Sequence, residues 1–395
     1  MSEPFRILTL NQISSTGLKR FPAGRYTVGA QTERPDAILV RSQDMHPMDI
    51  PATVKAIGRA GAGTNNIPVA KLGRRGMPVF NAPGANANAV KELVLAGLLI
   101  AARNLAPALK FVDELEGDDK ALDKLVEDGK KQFSGTELPK HTLGIVGLGK
   151  IGSLVADAAI KLGMNVLGYD PEITVEAAWS LSSQVRKAHS IEEVLKNCEY
   201  VTLHVPLVDV TRNLINSERI KLMKHGAILL NFSRDGIVDN DAVLEGLDAK
   251  RLRYYVCDFP ARKLLRQPHV IALPHLGAST REAEENCAVM VVDQVREFLE
   301  NGNIRNAVNF PDATMERESP FRVCIANANV PNMVGQISTA MAQSGLNIHN
   351  MLNKSKGEMA YTLVDVDSAV PNDVIARIAK IEGVLSVHYL PLDSQ

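Results

Sequence analysis

Residues 143–152 read LGIVGLGKIG, and this stretch decides the fold of the chain. A short apolar run leads into the pattern G-L-G-K-I-G, and an apolar periodicity typical of a helix follows over residues 154–162. Strand, glycine turn and helix in this order are the context that a dinucleotide-binding turn requires. Gly147 would allow the tight turn, Gly149 the approach of a pyrophosphate to the backbone, and Gly152 close packing of helix on strand.

An acidic residue follows the glycines at a suitable distance. The next apolar run, residues 165–169, ends in Asp170, about 20 residues after the glycine turn. A carboxylate there would bind the ribose hydroxyls of NAD, and Asp170 together with Glu172 would repel the 2′-phosphate of NADP. Lys150 and Ile151 begin the helix whose free N–H groups would face the phosphates. An ordinary glycine turn is the alternative, but the combined pattern favours an NAD site.

Composition and charge narrow the classes of protein. The 395 residues, 45% hydrophobic and 23% charged, describe a globular chain of two or three domains. A net charge of −1 gives no basic field for nucleic acid, and no apolar run is long enough to span a membrane. The N-terminus lacks a signal-peptide pattern. Four scattered cysteines without C-x-x-C spacing favour reduced thiols, so we expect a cytoplasmic protein without a metal site.

The first part of the chain, up to about residue 83, alternates short apolar runs with turns, which indicates a small α/β unit. The predicted strands are 5–10, 37–40, 54–57 and 78–80, and a short helix is predicted at 67–72. Arg41 and Ser42 follow one strand, and Arg59 precedes the loop Gly61-Ala62-Gly63 after another. An arginine beside open backbone N–H groups suits an anion, although a solvated arginine at a turn would show the same pattern.

From residue 143 onward, strands and helices alternate, which predicts a doubly wound, mostly parallel sheet. Further strands are predicted at 199–205, 227–231, 253–257 and 270–273. His204, Arg234, Asp258 and His275 stand at the ends of these runs, where ligands bind in such sheets. Histidine is a natural general base, and arginine can hold a carboxylate with two bonds. The alternative for Arg234 is a purely structural role, in an ion pair with a nearby aspartate at the surface.

The remaining segments complete the predicted organisation. A long apolar helix is expected at 90–105, a charged helix and loop at 113–131, and an amphipathic helix at 280–300. Residues 307–318 read as a polar, proline-containing linker. The last module, about residues 321–390, follows the order β-α-β-β-α-β, which is ferredoxin-like.

These motifs resemble the D-isomer-specific 2-hydroxyacid dehydrogenase family over nearly the whole chain. The matching segments are 61–66 (GAGTNN), 81–86 (NAPGAN), 135–138 (GTEL), 147–152 (GLGKIG), 204–206 (HVP), 231–239 (NFSRDGIVD), 274–280 (PHLGAST) and 307–311 (AVNFP). The resemblance implies a doubly wound NAD domain, 87–276, inserted in a smaller flavodoxin-like substrate domain, 1–86 and 277–310. The C-terminal module, 321–395, looks like an ACT regulatory domain.

The resemblance also implies roles for individual residues, with Arg234 and His275 as the catalytic pair. The implied NAD contacts are Gly147, Gly149, Lys150, Ile151, Gly152, Asp170, His204, Val205, Pro206, Thr211, Phe232, Ser233, Asp258, His275 and Gly277. The implied substrate contacts are Arg41, Ser42, Arg59, Gly61, Ala62, Gly63, Asn81 and Arg234. The implied effector contacts are Asn327, Asn329 and Asn347.

The AVNFP segment and the ACT-like module favour one branch of this family. That branch oxidises 3-phospho-D-glycerate to 3-phosphohydroxypyruvate in the first step of L-serine synthesis, and L-serine can act as its effector. The resemblance implies a homodimer or homotetramer. The alternatives are a glyoxylate or hydroxypyruvate reductase, and a catalytically weak sensor of NADH or an amino acid.

The sequence departs from the family pattern at three places. No carboxylate follows Asp258 until Glu282, where the family has a glutamate that supports the histidine. Asp235 replaces a glycine beside Arg234 and would be placed to pair with it. Asn327 stands where serine-inhibited relatives have a histidine. Which carboxylate, if any, supports His275 stays open at this point.

Overall fold

The structure is a computed structural model that describes residues 3–392, apart from the side chain of Glu176. It divides into two compact units. The first unit comprises Met1–Asn86 with Arg281–Gln395, and the second comprises Ala87–Thr280. The first unit contains two sheets and the second contains one.

The first sheet of the first unit is parallel and has the strand order β2-β1-β3-β4-β5, which is the flavodoxin order. Its strands are β1 (Phe5–Leu10), β2 (Tyr26–Gly29), β3 (Ala37–Val40), β4 (Ala56–Arg59) and β5 (Val79–Phe80). Helices α1 (Ser15–Leu18) and α2 (Val69–Gly73) lie between them. Strand β2 was not predicted, because this short edge strand buries only Tyr26 and so lacks an apolar run.

The second unit is built around a seven-stranded parallel sheet of order β12-β11-β10-β9-β6-β7-β8. Its strands are β6 (Thr142–Val146), β7 (Asn165–Tyr169), β8 (Val185–Lys187), β9 (Tyr200–Leu203), β10 (Ala227–Asn231), β11 (Leu252–Cys257) and β12 (Val270–Ala272). Its helices are α3 (Ala87–Ala102), α4 (Leu105–Asp113), α5 (Asp119–Gly129), α6 (Lys150–Lys161), α7 (Val175–Ser180), α8 (Ile191–Asn197), α9 (Ser217–Leu222) and α10 (Asn240–Asp248). The sheet order confirms the predicted doubly wound fold.

The helix predicted at 90–105 is in fact two helices. Asn104 adopts a left-handed backbone conformation, with φ of 52°, and separates α3 from α4. Among the described residues no single helix has the length and hydropathy of a membrane span. The bent pair α3 and α4, which meet at 69°, reaches those limits together by length and composition alone.

The C-terminal part of the first unit follows the long helix α11 (Arg281–Asn301). It contains β13 (Phe321–Ala328), α12 (Met333–Ala342), β14 (Ile348–Lys356), β15 (Met359–Val366), α13 (Asn372–Ala379) and β16 (Val384–Pro391). The four strands are antiparallel in the order β14-β15-β13-β16, so the predicted ferredoxin-like module is confirmed. One face of this sheet packs on α12 and α13.

The segment predicted as a polar linker, 307–318, does not behave as a solvated connection. Phe310, Ala313 and Met315 are buried in one apolar cluster with Phe298 of α11 and Tyr361 of β15. Apolar residues at alternating positions, separated by polar ones, allow this segment to lie along the core while its polar side chains face outward. The second face of the C-terminal sheet is therefore covered by the segment and by α11.

Candidate active site

The glycine turn between β6 and α6 has the geometry that its sequence predicts. Gly147 has φ of 94°, and a Cβ there would lie 2.6 Å from the His204 carbonyl oxygen. A Cβ on Gly152 would lie 2.0 Å from the Gly147 oxygen, so both positions exclude a side chain. Gly149 faces open space, with no other atom within 4 Å of an added Cβ. The turn can therefore admit a pyrophosphate at the first residues of α6, Lys150 and Ile151.

Asp170 lies beside this turn, one residue beyond β7. The Leu148 N–H donates to Asp170 Oδ2 at 2.8 Å, and the Glu172 N–H donates to Oδ1 at 3.0 Å. These two bonds fix the carboxylate against the glycine turn. Each oxygen keeps a further lone pair that ribose hydroxyls can use.

The segment after β9 carries the predicted HVP motif. His204 Nε2 lies 3.1 Å from Thr202 Oγ1, while Nδ1 is enclosed without a hydrogen-bond partner among the described residues. Burial lowers the pKa of His204 to about 4, so this imidazole is neutral near pH 7. The Thr211 hydroxyl donates to the Pro206 carbonyl, and the Ser233 hydroxyl donates to the Val205 carbonyl. The first bond closes a turn within the segment after β9, and the second joins this segment to the one after β10.

The segment after β10 holds Arg234 by its backbone. The buried Asn231 donates from Nδ2 to the Arg234 carbonyl at 2.9 Å and accepts from the Ser233 N–H at 3.2 Å. The side chain of Arg234 is exposed, and Nη1 donates to the Ser233 carbonyl at 2.6 Å. Arg234 forms no ion pair with Asp235 within residues 3–392. The aspartate pairing expected from the sequence is therefore absent, and the guanidinium remains available to an anion.

Asp258, directly after β11, is a buried carboxylate with an exposed fraction of 1%. Neither oxygen makes a hydrogen bond of good geometry to the described residues. Burial raises the pKa of Asp258, and the charge of His275, the Gly277 N–H and the charge of Arg234 counter this rise. A carboxylate that is buried without a bonded partner is costly, and such groups concentrate at functional sites.

His275 follows β12 and is exposed. Its ring lies edge-on to Phe259, with ring centroids 5.0 Å apart and an interplanar angle of 61°. No hydrogen bond to His275 exists among the described residues. The stretch where the family has its glutamate forms a short 3-10 helix, Arg262–Leu264, whose Lys263 pairs with Asp241. The structure thus supplies no replacement for the missing glutamate in this stretch.

The ends of β10, β11 and β12 therefore bring together Arg234, Asp258 and His275, as the sequence predicts. Gly277 lies next to Asp258, because a Cβ on this glycine would be 3.6 Å from Asp258 Oδ2. Phe232 is buried instead, and its ring packs against Gly97 of α3. Phe232 is therefore part of the apolar core of the second unit. At this sheet edge Asp258 can accept hydrogen bonds from an amide, and His275 can take a proton. Arg234 can bind a carboxylate.

A second group of predicted residues lies in the first unit, at the ends of β3 and β4. Arg41 forms an ion pair with Glu284 of α11. Arg59 Nε donates to the Arg41 carbonyl at 3.1 Å, and Asn66 Nδ2 donates to the same oxygen at 3.3 Å. Asn66 and Glu284 were not predicted as site residues: Asn66 ends the quoted motif 61–66, whereas nothing in the local pattern of Glu284 points to this corner.

The loop Gly61-Ala62-Gly63 lies at the same corner. The Arg59 guanidinium covers Gly61, where a Cβ would come within 1.8 Å of Nη1. Asn81 Nδ2 donates to the Ala62 carbonyl, and the Ser42 N–H donates to Asn11 Oδ1 at 3.3 Å. The predicted substrate residues of the first unit are therefore close together, with Asn11 as a further support.

The three predicted effector residues are not close together within one copy of the chain. Asn327 is buried at the end of β13, and Asn329 Nδ2 donates to the Gly357 carbonyl at 3.0 Å. Asn347 Nδ2 donates to Asp367 Oδ2 at 2.6 Å. Asn327 of β13 pairs with Ala360, near the start of β15. Asn347 directly precedes Ile348 of β14, which pairs with Val366 at the end of β15. About six strand residues, roughly 20 Å, separate the two ends.

Comparison with known proteins identifies the family of the chain. Residues 95–277 match the family model described as D-isomer specific 2-hydroxyacid dehydrogenase, NAD binding domain. D-3-phosphoglycerate dehydrogenase of Methanocaldococcus jannaschii is 34% identical over 340 residues, which cover 84% of this chain and 62% of that protein. D-3-phosphoglycerate dehydrogenase of Haemophilus influenzae is 32% identical over 347 residues, which cover 85% of this chain and 81% of that protein. The chain belongs to the D-isomer specific 2-hydroxyacid dehydrogenase family, and its second unit contains the NAD-binding domain.

Some relatives are considerably longer than the matched region. The chain spans 62% of the Methanocaldococcus protein and 51% of the D-3-phosphoglycerate dehydrogenase of a Synechocystis species. A solved structure of a Thermus thermophilus protein is 26% identical with a TM-score of 0.61, covering 77% of this chain and all of that chain. The solved structure of NAD⁺-bound 3-phosphoglycerate dehydrogenase of Entamoeba histolytica has the same fold, with a TM-score of 0.59 and 24% identity. The match covers 78% of this chain and 99% of that chain.

Proposed function

We propose that the protein oxidises 3-phospho-D-glycerate to 3-phosphohydroxypyruvate with NAD, at the first step of L-serine synthesis. The observation that carries this proposal is the sheet edge where the unpartnered Asp258 faces the charges of Arg234 and His275. The relatives named D-3-phosphoglycerate dehydrogenase, at 30–38% identity, support the choice of substrate.

NAD fits the residues of the second unit. The open face of Gly149 leaves room for the pyrophosphate, and Asp170 has lone pairs for the ribose hydroxyls. The two free oxygens of Asp258 suit the amide N–H groups of a nicotinamide carboxamide. When bound, NAD supplies the acceptor for the hydride of the substrate.

The chain's own residues then provide the remaining chemistry. His275 takes the proton of the substrate hydroxyl as the hydride leaves. Arg234 binds the substrate carboxylate and stabilises charge that develops on the reacting oxygen. Arg41 and Arg59 of the first unit bind the phosphate, with the backbone of the loop 61–63 as additional donors.

The test is reduction of 3-phosphohydroxypyruvate by the purified full chain, followed by NADH absorbance. His275→Ala should lower kcat by about 10²–10⁴-fold, since it removes a general acid–base group. The matched control is His225→Ala, an exposed histidine away from these strand ends, which should retain activity. Absence of turnover by the wild-type chain between about pH 5 and about pH 9, two pH units on either side of neutrality, would refute the proposal.

A glyoxylate or hydroxypyruvate reductase is the second candidate, since the same Arg234 and His275 would serve an unphosphorylated substrate. It differs in the role of the first unit. Arg41→Ala and Arg59→Ala should raise KM for 3-phosphohydroxypyruvate under the leading proposal, whereas both should leave the Michaelis constants unchanged if the site binds no phosphate.

We also propose that the chain forms homodimers through α4 and α5. Large apolar side chains on these helices are exposed: Leu105, Leu109, Val112, Leu125 and Val126. Exposed apolar side chains that are concentrated on neighbouring segments are one mark of a protein–protein interface. Analytical ultracentrifugation of the wild type and of a Leu109→Asp, Val112→Asp variant would decide, and a wild-type monomer at micromolar concentration would contradict the proposal.

Regulation by L-serine and a cytoplasmic location complete the proposal. Because Asn327 and Asn347 lie at opposite ends of one sheet, a serine site that uses both would need two copies of the C-terminal module. Titration calorimetry of the full chain with L-serine tests this, and no heat at millimolar serine would count against it. The proposed reaction consumes an intermediate of central metabolism, which suggests a cytoplasmic location that cell fractionation can check.

A further inference from the structure

Three charged side chains meet at one corner of the first unit. Arg41 lies one residue beyond β3, Arg59 is the last residue of β4, and Glu284 is in the first turn of α11. Arg41 Nη2 donates to Glu284 Oε1, and both side chains are partly exposed, at 38% and 40%. The corner is thus reachable by a ligand while the arginine already has an anionic partner.

The backbone around Arg41 is held in place independently of Glu284. Its carbonyl accepts from Arg59 Nε and from Asn66 Nδ2, at 3.1 Å and 3.3 Å. Asn66 Nδ2 also donates to the Gln43 carbonyl at 2.7 Å. Removal of the glutamate charge would therefore leave the segment that carries Arg41 tied to its neighbours.

The three charges are concentrated at this corner. The thiol of Cys287 is buried about one helical turn beyond Glu284, and all three charges affect its pKa. Burial raises the pKa of Cys287, the charges of Arg59 and Arg41 lower it, and the charge of Glu284 raises it. Two guanidinium groups and one carboxylate leave a net charge of +1. A phosphate at this corner meets two attractive charges and one repulsive charge.

We infer that Glu284 is a specificity-determining residue that weakens phosphate binding at Arg41 and Arg59 by occupying one edge of the Arg41 guanidinium. The inference rests on the proposed function in one respect, since the phosphate would be that of the substrate. A carboxylate close to a dianionic phosphate repels it, and the phosphate must also displace the carboxylate from Nη2. A weaker hold on the phosphate speeds release of a phosphorylated product.

The experiment compares Glu284→Gln with the wild-type full chain. Glutamine keeps the size and one acceptor oxygen of glutamate and removes only the charge. The matched control is Glu285→Gln, because Glu285 lies on the same helix turn, changes the net charge equally and has no ion pair within the described residues. Inorganic phosphate serves as the probe in a calorimetric titration. Glu284→Gln should bind phosphate about three- to tenfold more tightly at low salt, and the control should match the wild type.

Kinetics give the second measurement. Glu284→Gln should lower KM for 3-phosphohydroxypyruvate about three- to tenfold with kcat changed less, and KM for hydroxypyruvate should not follow. If phosphate affinity falls or KM rises, Glu284 instead holds Arg41 in a binding position, and the inference is overturned. Equal values for variant and wild type would overturn it as well. If the wild type has no turnover, the proposed function fails, while the phosphate titration still decides this inference.

Discussion

Two buried aspartates of this protein have opposite surroundings. Asp365 of β15 is fully buried and binds Arg322 of β13 through two bonds, Nε to Oδ1 at 2.6 Å and Nη2 to Oδ2 at 2.8 Å. Asp258, directly after β11, is buried to the same degree, but neither of its oxygens makes a hydrogen bond of good geometry among residues 3–392, and only the Gly277 N–H and the charges of His275 and Arg234 act on it. The residue type and the burial are alike, and only the partners differ.

The surroundings of Arg322 extend beyond the ion pair. Its guanidinium also donates to the carbonyls of Asn301, Met315 and Glu316. Arg317 donates to the carbonyl of Glu300. Two arginines therefore cap the carbonyl end of α11, where a helix leaves acceptors unpaired and favours positive charge.

The difference makes Asp365 a structural carboxylate and Asp258 the candidate for a functional one. A buried charge with all its bonds made can be kept for the fold, whereas a buried charge without partners lowers stability and needs another reason to be there. The NAD that we propose to bind beside Asp258 would give that reason. The comparison predicts opposite consequences for stability when Asp365 loses its bonded arginine and when Asp258 loses its charge.

The largest effect is expected at the saturated pair. Arg322→Met leaves Asp365 buried and unpaired and also removes donors from three carbonyls. We expect the free energy of unfolding of the first unit to fall by about 3–5 kcal/mol, measured by urea unfolding with fluorescence and circular dichroism.

The control for this change is Arg377→Met. Arg377 forms a pair with Asp373 on α13 of the same module, at 3.3 Å, and both side chains are well exposed. Such a pair contributes at most about 1 kcal/mol. A similar loss in both variants would contradict the distinction between buried and exposed pairs.

Asp258→Asn should have the reverse effect on stability. The change removes a buried charge with no bonded partner, so we expect the second unit to unfold at a higher temperature. The same change replaces a carboxylate acceptor with an amide that presents N–H groups to the nicotinamide carboxamide. NADH affinity should therefore fall by about 1.5–3 kcal/mol, the value of a hydrogen bond to a charged group, measured by calorimetry.

The pH dependence sharpens this prediction. Burial raises the pKa of Asp258, so its carboxylate takes up a proton at a higher pH than an ordinary aspartate. Protonation removes acceptor capacity, and wild-type affinity for NADH should decline on acidification before the ordinary aspartate range near pH 4 is reached. Asp258→Asn should lose this decline. A less stable variant with unchanged NADH affinity would show that Asp258 is structural.

The sequence contained enough information for the fold and for the second unit's site. The glycine turn could be predicted because Gly147 and Gly152 have no room for a side chain, and residues close together in the sequence therefore show the constraint directly. Strand β10 was predicted with its observed bounds, Ala227–Asn231, because a buried parallel strand is a continuous apolar run. Since ligands gather at strand ends, Arg234, Asp258 and His275 could be grouped before any coordinates.

The remainder depends on contacts between distant residues, which local patterns do not show. Arg322 and Asp365 are 43 residues apart, and each alone reads as a polar residue in a strand. Likewise Glu284 lies on an amphipathic helix, where a glutamate is the ordinary solvent-facing choice. Asn347 matched a family position, yet the order and register of the strands decide that it lies far from Asn327.

The smallest effect at neutral pH concerns two histidines, one in each of the compared regions. His204 belongs to the second unit, and His388 of β16 packs edge-on to Phe298 at 6.2 Å, on the sheet face that carries Arg322. Burial lowers the pKa of His204 to about 4 and that of His388 to about 4. In the unfolded chain a histidine has a pKa near 6.5, so the unfolded state gains the proton first as the pH falls. Stability should be unaffected above about pH 7 and should fall between about pH 6.5 and 4.

His388→Gln should therefore change the unfolding midpoint little at neutral pH and should reduce the loss on acidification. At about pH 5 the variant should regain on the order of 1–2 kcal/mol relative to the wild type, measured by urea unfolding at a series of pH values. His189→Gln, at an exposed position, is the control and should follow the wild type. The proposed NADH contacts lie in the second unit, so saturating NADH should leave the gain from His388→Gln in the first unit unchanged. If NADH abolished that gain, the two units would not unfold independently, and the two regions could no longer be compared as separate parts.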